Sequence, residues 1–334
     1  MPLLKFGRAC RVCPQWFVGL FATAAALLLP GAVLASDDPF PYWPDDEIIA
    51  SAVASTELGG YTSKVSVAQG ETLDFHLSSN VNTPFSIKIY REGTPRTLMM
   101  TVSNVSAQAH SCDGGYATGC NWPVAYTLTV PASWPSGVYT ADIPVQTNST
   151  QKLIFWVRED QPGSTAPLLY LSSVNTFQAY NNYGGKSTYA FNSTDGEPSI
   201  TVSFDRPYVQ GGVGKYARWE SKFVNWIDQQ PYSVEYATTY DLEFIPNLLD
   251  AYQTVVIAGH SEYWTWDARQ RLKDFIARGG RLINLSGNTM WWQIRYQDDG
   301  RTLVAYKKYT ADPVKATQGV TDNPYKHPIY DPPA

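Results

Sequence analysis

Charge is scarce in this chain: only 16% of its 334 residues are Asp, Glu, Lys or Arg, and acidic side chains outnumber basic ones by 30 to 25. No basic patch stands out, so the electrostatic footprint of a nucleic-acid or anionic-lipid binder is missing. Cysteine is rarer still, with 4 in the whole sequence. Cys10 and Cys13 have metal-motif spacing, but no second pair completes a zinc site. No Gly-x-Ser-x-Gly elbow falls at a strand end, and Ser261 beside His260 does not supply a triad, which argues against a nucleophilic serine hydrolase. Gly211-Gly212-Val213-Gly214 lacks the Lys-Ser/Thr that follows a phosphate-binding loop. No internal repeat is found, and beyond the N-terminal region no segment is apolar enough to span a membrane.

Aromatic residues are abundant instead, at 14% with 11 Trp and 22 Tyr, which favours a packed globule over a disordered chain. At this length two ordinary domains and a substantial core fit. Lys5, Arg8 and Arg11 precede the apolar run Trp16 to Leu29, and Val33-Leu34-Ala35 follows a Pro30-Gly31 break. This reads as a signal peptide over 1–35, cleaved after Ala35, because the run is shorter than the ~20 residues of a spanning helix. Export to the envelope, periplasm or medium is the expectation. Cys112 and Cys120 then remain in the mature chain, close enough in sequence for a disulfide.

Residues 36–50 form a Pro- and acid-rich lead-in. Over 51–160 short alternating strands, 72–77, 85–90, 126–130, 138–143 and 152–157, predict a β-sandwich of immunoglobulin-like type. Gln161 to Thr165 is the linker. An α/β domain over 166–334 follows: strand 168–171, a long Asn/Gly/Tyr-rich loop, a helix with Tyr216, Trp219, Phe223 and Trp226 on one face, and strand 233–238. Val255 to Ala258 reads as a strand buried on both faces, with Trp264, Ala268, Leu272, Phe275 and Ile276 at helical spacing behind it. Gly279-Gly280 stops that helix, and Arg281 to Leu285 is a second apolar strand. Strand, helix, strand is the signature of a mostly parallel sheet, here of three-layer, flavodoxin- or glutamine-amidotransferase-like form. His260, Glu262 and Asn288 follow strand ends, where open α/β sheets bind ligands.

The motifs Gly-His-Ser-Glu-Tyr-Trp at 259–264, Arg-Gly-Gly-Arg-Leu at 278–282 and Ser-Gly-Asn-Thr-Met-Trp-Trp-Gln-Ile-Arg at 286–295 resemble the C-terminal domain of the N,N-dimethylformamidase large (beta) subunit family. Trp-Pro-Ser-Gly-Val-Tyr at 134–139 and Asn-Thr-Phe-Gln-Ala-Tyr-Asn-Asn-Tyr-Gly-Gly at 175–185 extend the likeness. The resemblance implies a mononuclear Fe3+ held by two tyrosines and one glutamate, matched here by Tyr139, Tyr180 and Glu262. Two phenolates and a carboxylate are hard oxygen donors suited to a hard trivalent cation. His260 and Asn288 match positions that orient substrate and water, and Lys307, with Lys308 as its rival, matches a lysine near the metal. A small partner subunit or homo-oligomer, and an amide-like small-molecule substrate, are further implications. The chain stops at Ala334, sooner than the resemblance leads one to expect of the α/β domain.

Each residue also has a plainer reading. Tyr139 alone reads as a sandwich-core tyrosine with its hydroxyl on a backbone carbonyl. Tyr180 has Tyr183 and Tyr189 as rivals, Glu262 suits the start of a following helix, and His260 alone would be a buried, satisfied histidine. Two functional classes remain: an exported iron-dependent hydrolase of a linear amide or related C–N bond, and a non-catalytic envelope protein binding glycan or protein on the same scaffold.

Overall fold

Strands of three to ten residues, the longer ones with alternate side chains apolar, build the first half of the fold. The structure is a computed structural model that describes residues 58–314, so the expected leader, the 36–50 segment, Cys10 and Cys13 lie outside the described residues. β1 (Gly59–Thr62), β3 (Thr72–Ser78) and β6 (Val124–Thr129) form one antiparallel sheet. A second sheet has the order β2-β8-β7-β4-β5, from β2 (Ser66–Ala68), β4 (Phe85–Arg91), β5 (Thr97–Val105), β7 (Gly137–Gln146) and β8 (Ser149–Arg158). Leu73, Phe75 and Leu77 of β3 meet Ile87, Ile89, Ala141, Ile143, Leu153 and Phe155 of the facing sheet in one core. Alternation places one side of each strand inward, and each large apolar side chain so buried contributes about 1.5–3 kcal/mol. Cys112 and Cys120 are joined in a disulfide beside Trp122 and Tyr183.

The second half centres on a parallel sheet of order β11-β9-β12-β14, made of β9 (Leu168–Ser172), β11 (Glu235–Thr238), β12 (Thr254–His260) and β14 (Arg281–Gly287). Leu169, Leu171, Ala237, Val255 and Ile257 face one way, against Leu272 and Phe275. Tyr170, Tyr236, Val256 and Ala258 face the other, against Val65, Ile154 and Trp156 from the strand region before residue 160. Burial on both faces explains why these central strands read as unbroken apolar runs. A small mixed sheet adds β10 (Thr201–Ser203), β13 (Tyr263–Thr265), β15 (Trp292–Gln297) and β16 (Thr302–Val304). The molecule is thus mainly β-sheet, antiparallel and parallel, with few helices.

Two helices differ from expectation. The helix expected from Tyr216 to Trp226 is two short ones, with Glu220 between them. The helix after β12 begins at Trp266, because Trp264 belongs to β13 and Thr265 caps the helix, accepting from Ala268 N–H at 3.2 Å. Ile276 is exposed rather than core, and β14 forms where an apolar strand was expected, lying exposed at the sheet edge. Among the described residues no helix is long and apolar enough to cross a membrane.

Candidate active site

Glu262 sits where β12 gives way to β13, and its side chain collects donors from three directions. α1 (Val174–Tyr180) runs from the carboxyl end of β9 and carries Tyr180 on its last turn. A turn then returns the chain so that Tyr189 lies against it, the two rings 4.2 Å apart. The Tyr180 hydroxyl donates to Glu262 Oε2 at 3.0 Å, and the Tyr189 hydroxyl lies 2.9 Å from Oε1 and 3.0 Å from Oε2. His260 Nε2 is 3.1 Å from Oε2. Glu262 itself is 3% exposed, and its own N–H donates to Thr176 Oγ1 at 2.9 Å, which ties the carboxylate to α1.

Several residues hold this arrangement. Arg206, fully buried, donates to the carbonyls of Asn181 (2.8 Å), Tyr183 (2.6 Å), Lys186 (3.0 Å) and Ser203 (3.0 Å), which fixes the loop between the two tyrosines. Burial pushes its guanidinium down to about 9, still protonated at neutral pH. Asn192 Nδ2 donates to the Tyr180 carbonyl at 3.0 Å, and Thr188 Oγ1 to that of Ala179 at 3.0 Å. Trp219, the last residue of α2 (Tyr216–Trp219), places its ring 5.1 Å from Tyr180 and 4.8 Å from His260. Gly259 allows this: its φ is +82, and a Cβ there would collide with the Trp219 carbonyl oxygen.

Electrostatics follow from burial. The Tyr189 phenol is pushed well above its usual range, first by desolvation and then by the Glu262 carboxylate beside it. Lys307 stands over that ring, with Nζ 3.0 Å from the Tyr189 ring centroid. Lys215, also buried, brings Nζ to 5.4 Å from the Tyr180 ring. Donors for a metal are therefore oxygens, Glu262 and the two phenols, with His260 nitrogen adjacent. Among the described residues no three of His, Cys, Asp and Glu gather into such a set. The oxygen set fits a hard cation, which would have to displace the phenol protons that burial otherwise retains.

The structure thus brings together Tyr180, Glu262, His260 and Lys307, but not Tyr139. Tyr139 is a fully buried part of the core that β3 shares with its facing sheet; it stacks on Trp134 at 4.9 Å, and its hydroxyl donates to the Pro135 carbonyl at 2.7 Å. Its place beside Glu262 is taken by Tyr189. Asn288 stands in the turn after β14 at φ +48, and its side chain makes no hydrogen bond among the described residues. That turn nonetheless braces the site, since Met290 N–H donates to Ser261 O at 2.9 Å and Trp292 N–H to Glu262 O at 2.9 Å. Lys308 is exposed, and the segment is a bend rather than a strand. Sequence reasoning missed Arg206, Thr176 and Lys215, whose roles depend on long-range contacts that no local spacing signals. Tyr189 was within reach only as one of three tyrosines in the loop.

The profile described as N,N-dimethylformamidase beta subunit-like, C-terminal, matches residues 87–334. The N,N-dimethylformamidase beta subunit of Alcaligenes sp is 24% identical over 232 residues, and that of Paracoccus aminophilus 26% over 232 residues. In both cases the match covers 57% of this chain, and the chain spans 30% of the relative's length. A chain of a solved structure described as the structural basis of T cell specificity and activation by the bacterial superantigen toxic shock syndrome toxin-1 matches 30% of this chain and 92% of its own length, at 17% identity and a TM-score of 0.18.

Proposed function

Because this chain belongs to the N,N-dimethylformamidase beta subunit-like family, we propose that it is a hydrolase of a small amide or related C–N bond, with an iron-binding site formed by Tyr180, Tyr189 and Glu262. The observation that carries this reading is the convergence of two phenols and one imidazole on a single carboxylate that is almost fully buried. A ferric ion held by these oxygens would supply Lewis acidity toward an amide carbonyl and make a bound water more acidic.

The chain's own residues have definable tasks. Tyr180, Tyr189 and Glu262 would hold the ion as phenolates and carboxylate, and the Lys307 ammonium over the Tyr189 ring would favour the phenolate form. His260, whose side chain is 19% exposed, is the group through which solvent reaches the cluster, and its ring holds or passes a proton at Nε2. Trp219 and Trp292 wall the site and exclude bulk water, which strengthens every charge interaction inside. Asn288, on the adjoining turn, is assigned to substrate orientation.

The finer fold reading, immunoglobulin-like strands followed by a flavodoxin-like three-layer domain, is supported by the two facing sheets, whose pairs are antiparallel except for β2 with β8, and by the parallel sheet covered on both sides. Export is supported by the Cys112–Cys120 disulfide, since such bonds persist in oxidising compartments. A partner subunit is part of the same proposal, because both curated relatives are named as subunits.

Metal analysis with visible spectroscopy tests the site. The purified chain is expected to carry one equivalent of iron and a tyrosinate-to-iron charge-transfer band. Tyr180→Phe, Tyr189→Phe and Glu262→Ala each remove or shift the band, whereas Tyr139→Phe leaves it unchanged. A folded protein that takes up no iron, or a band lost in Tyr139→Phe but retained in Tyr189→Phe, defeats the assignment.

A further inference from the structure

An opening lies away from the tyrosine–glutamate cluster. It is a cleft of about 490 Å³ between the ends of β4, β7 and β8 on one side and α3 (Ser221–Ile227) and β11 on the other. A volume of this size is that of a small-molecule site. Its charged lining is one guanidinium, Arg91, against three carboxylates, Glu159, Asp160 and Asp228.

Arg91 is already neutralised. Its Nη1 donates to Asp228 Oδ1 at 2.8 Å, and Asp228 Oδ2 also accepts from Thr94 N–H at 3.0 Å. Glu159 is different: it is only 7% exposed, yet the bonds it receives are long, from Ser136 N–H at 3.3 Å and Thr165 Oγ1 at 3.4 Å, and both go to Oε1. Oε2 has no hydrogen-bond partner among the described residues and is not sealed from solvent, so it opens on the cleft. Asp160 adds a second carboxylate at the rim, with no ion pair among the described residues. Tyr232, 64% exposed, also lines the cleft. A nearly buried carboxylate with one oxygen open to solvent is hydrated in the empty cleft, and a cation or donor entering the cleft can take the place of that water.

We propose that this cleft binds a small organic ammonium ion, with Glu159 Oε2 as its principal acceptor, Asp160 as a second, and the Tyr232 ring covering the attached carbons. Excess negative charge in a recessed, low-dielectric wall concentrates cations and repels anions. An aromatic face beside carboxylates is the usual setting for alkylammonium recognition. A neutral polyol satisfies the hydrogen bonds but leaves the charge uncompensated, which is why an amine is favoured. The inference does not depend on the metal site or on the proposed hydrolase activity.

Titration calorimetry on the full-length chain, with n-butylammonium and putrescine as probes and glucose and butyrate as comparators, decides the matter. Saturable one-to-one binding of the ammonium probes is expected, weakened about tenfold by Glu159→Gln, which corresponds to about 1.4 kcal/mol, and less by Asp160→Asn. Added salt weakens it further, and butyrate and glucose give no saturable signal. Because Glu159→Gln removes the charge but retains an acceptor for Ser136 and Thr165, its melting temperature serves as the folding control, and exposed Asp160→Asn gives an independent arm. No saturable ammonium binding, or binding indifferent to both substitutions, overturns the proposal, and so does glucose binding with equal dependence on Glu159.

Discussion

Glu220 shows how much one buried side chain can be asked to bear. It lies between α2 and α3 with no solvent exposure, accepts from Ser172 Oγ at 2.5 Å and Ser173 N–H at 2.8 Å, and burial raises its carboxyl from the ordinary 4.5 to about 7. A carboxyl whose folded value is raised costs stability when ionised: the penalty is absent below pH 4.5, grows between pH 4.5 and 7, and is complete above 7. Its full size is about 3 kcal/mol. Glu220→Gln cannot ionise, so its stability relative to the parent is expected to rise by about 3 kcal/mol between pH 4.5 and 8, read from urea midpoints across that range; a flat difference would show that Glu220 is not the titrating group. Nothing in the sequence around Trp219-Glu220-Ser221 announces such a residue. The same limit governs Tyr139 and Tyr189: the strand pattern that buries Tyr139 in a core was readable, but the loop that folds Tyr189 onto Tyr180 was not, because Arg206 and Asn192 fix it through contacts from outside the loop's local pattern. Glu262 and His260 were legible because they follow a strand end within a dense motif.

Elements were legible in proportion to their length and burial. β3, β4, β7, β8, β9 and β12 announce themselves by alternation or by continuous apolar runs, whereas three-residue strands such as β10, β13 and β16 carry too few positions for any period. β14 exposes a different limit: its apolar residues mark a strand, yet Ile283 and Leu285 are 44% and 57% exposed, because hydrophobicity does not say whether a strand is central or at an edge. The interrupted helix has a spatial reason. Trp219 must lay its carbonyl against Gly259 and its ring against His260, which a continuous helix through Glu220 would not provide. Gly259→Ala places a Cβ into that carbonyl at a φ of +82 and is expected to cost about 2 kcal/mol or more. Trp219 would be displaced from His260, so the loss should appear both in the melting temperature and in the environment-sensitive near-ultraviolet dichroism. An unchanged signal with unchanged stability would mean that α2 does not depend on this glycine.

Whether the strand-rich half and the parallel-sheet half melt together is decided by what they share. Val65, Val138, Ile154 and Trp156 come from the first and pack in one cluster with Tyr170, Phe177, Tyr236 and Val256 from the second. Ser136 Oγ, from the segment before β7, accepts from Tyr236 N–H at 2.8 Å, a backbone donor of β11. Arg158, at the end of β8, reaches Asp241 Oδ1 at 3.2 Å, and Asp241 also accepts from Thr238 N–H and Oγ1 at 2.8 Å, so one nearly buried carboxylate joins both halves. Exposing either half alone would uncover the other's apolar face and strand these polar groups without partners. Unfolding in urea is therefore expected as one transition, with far-ultraviolet dichroism and tryptophan fluorescence coincident. Asp241→Ala removes the shared acceptor and leaves Arg158 half-buried without its counter-charge, a loss of about 3–5 kcal/mol for a buried pair broken on one side. If the halves are coupled, the whole curve moves to lower urea with its slope preserved. If they are not, Asp241→Ala splits the curve in two, or lowers the slope as only part of the surface is exposed in the step.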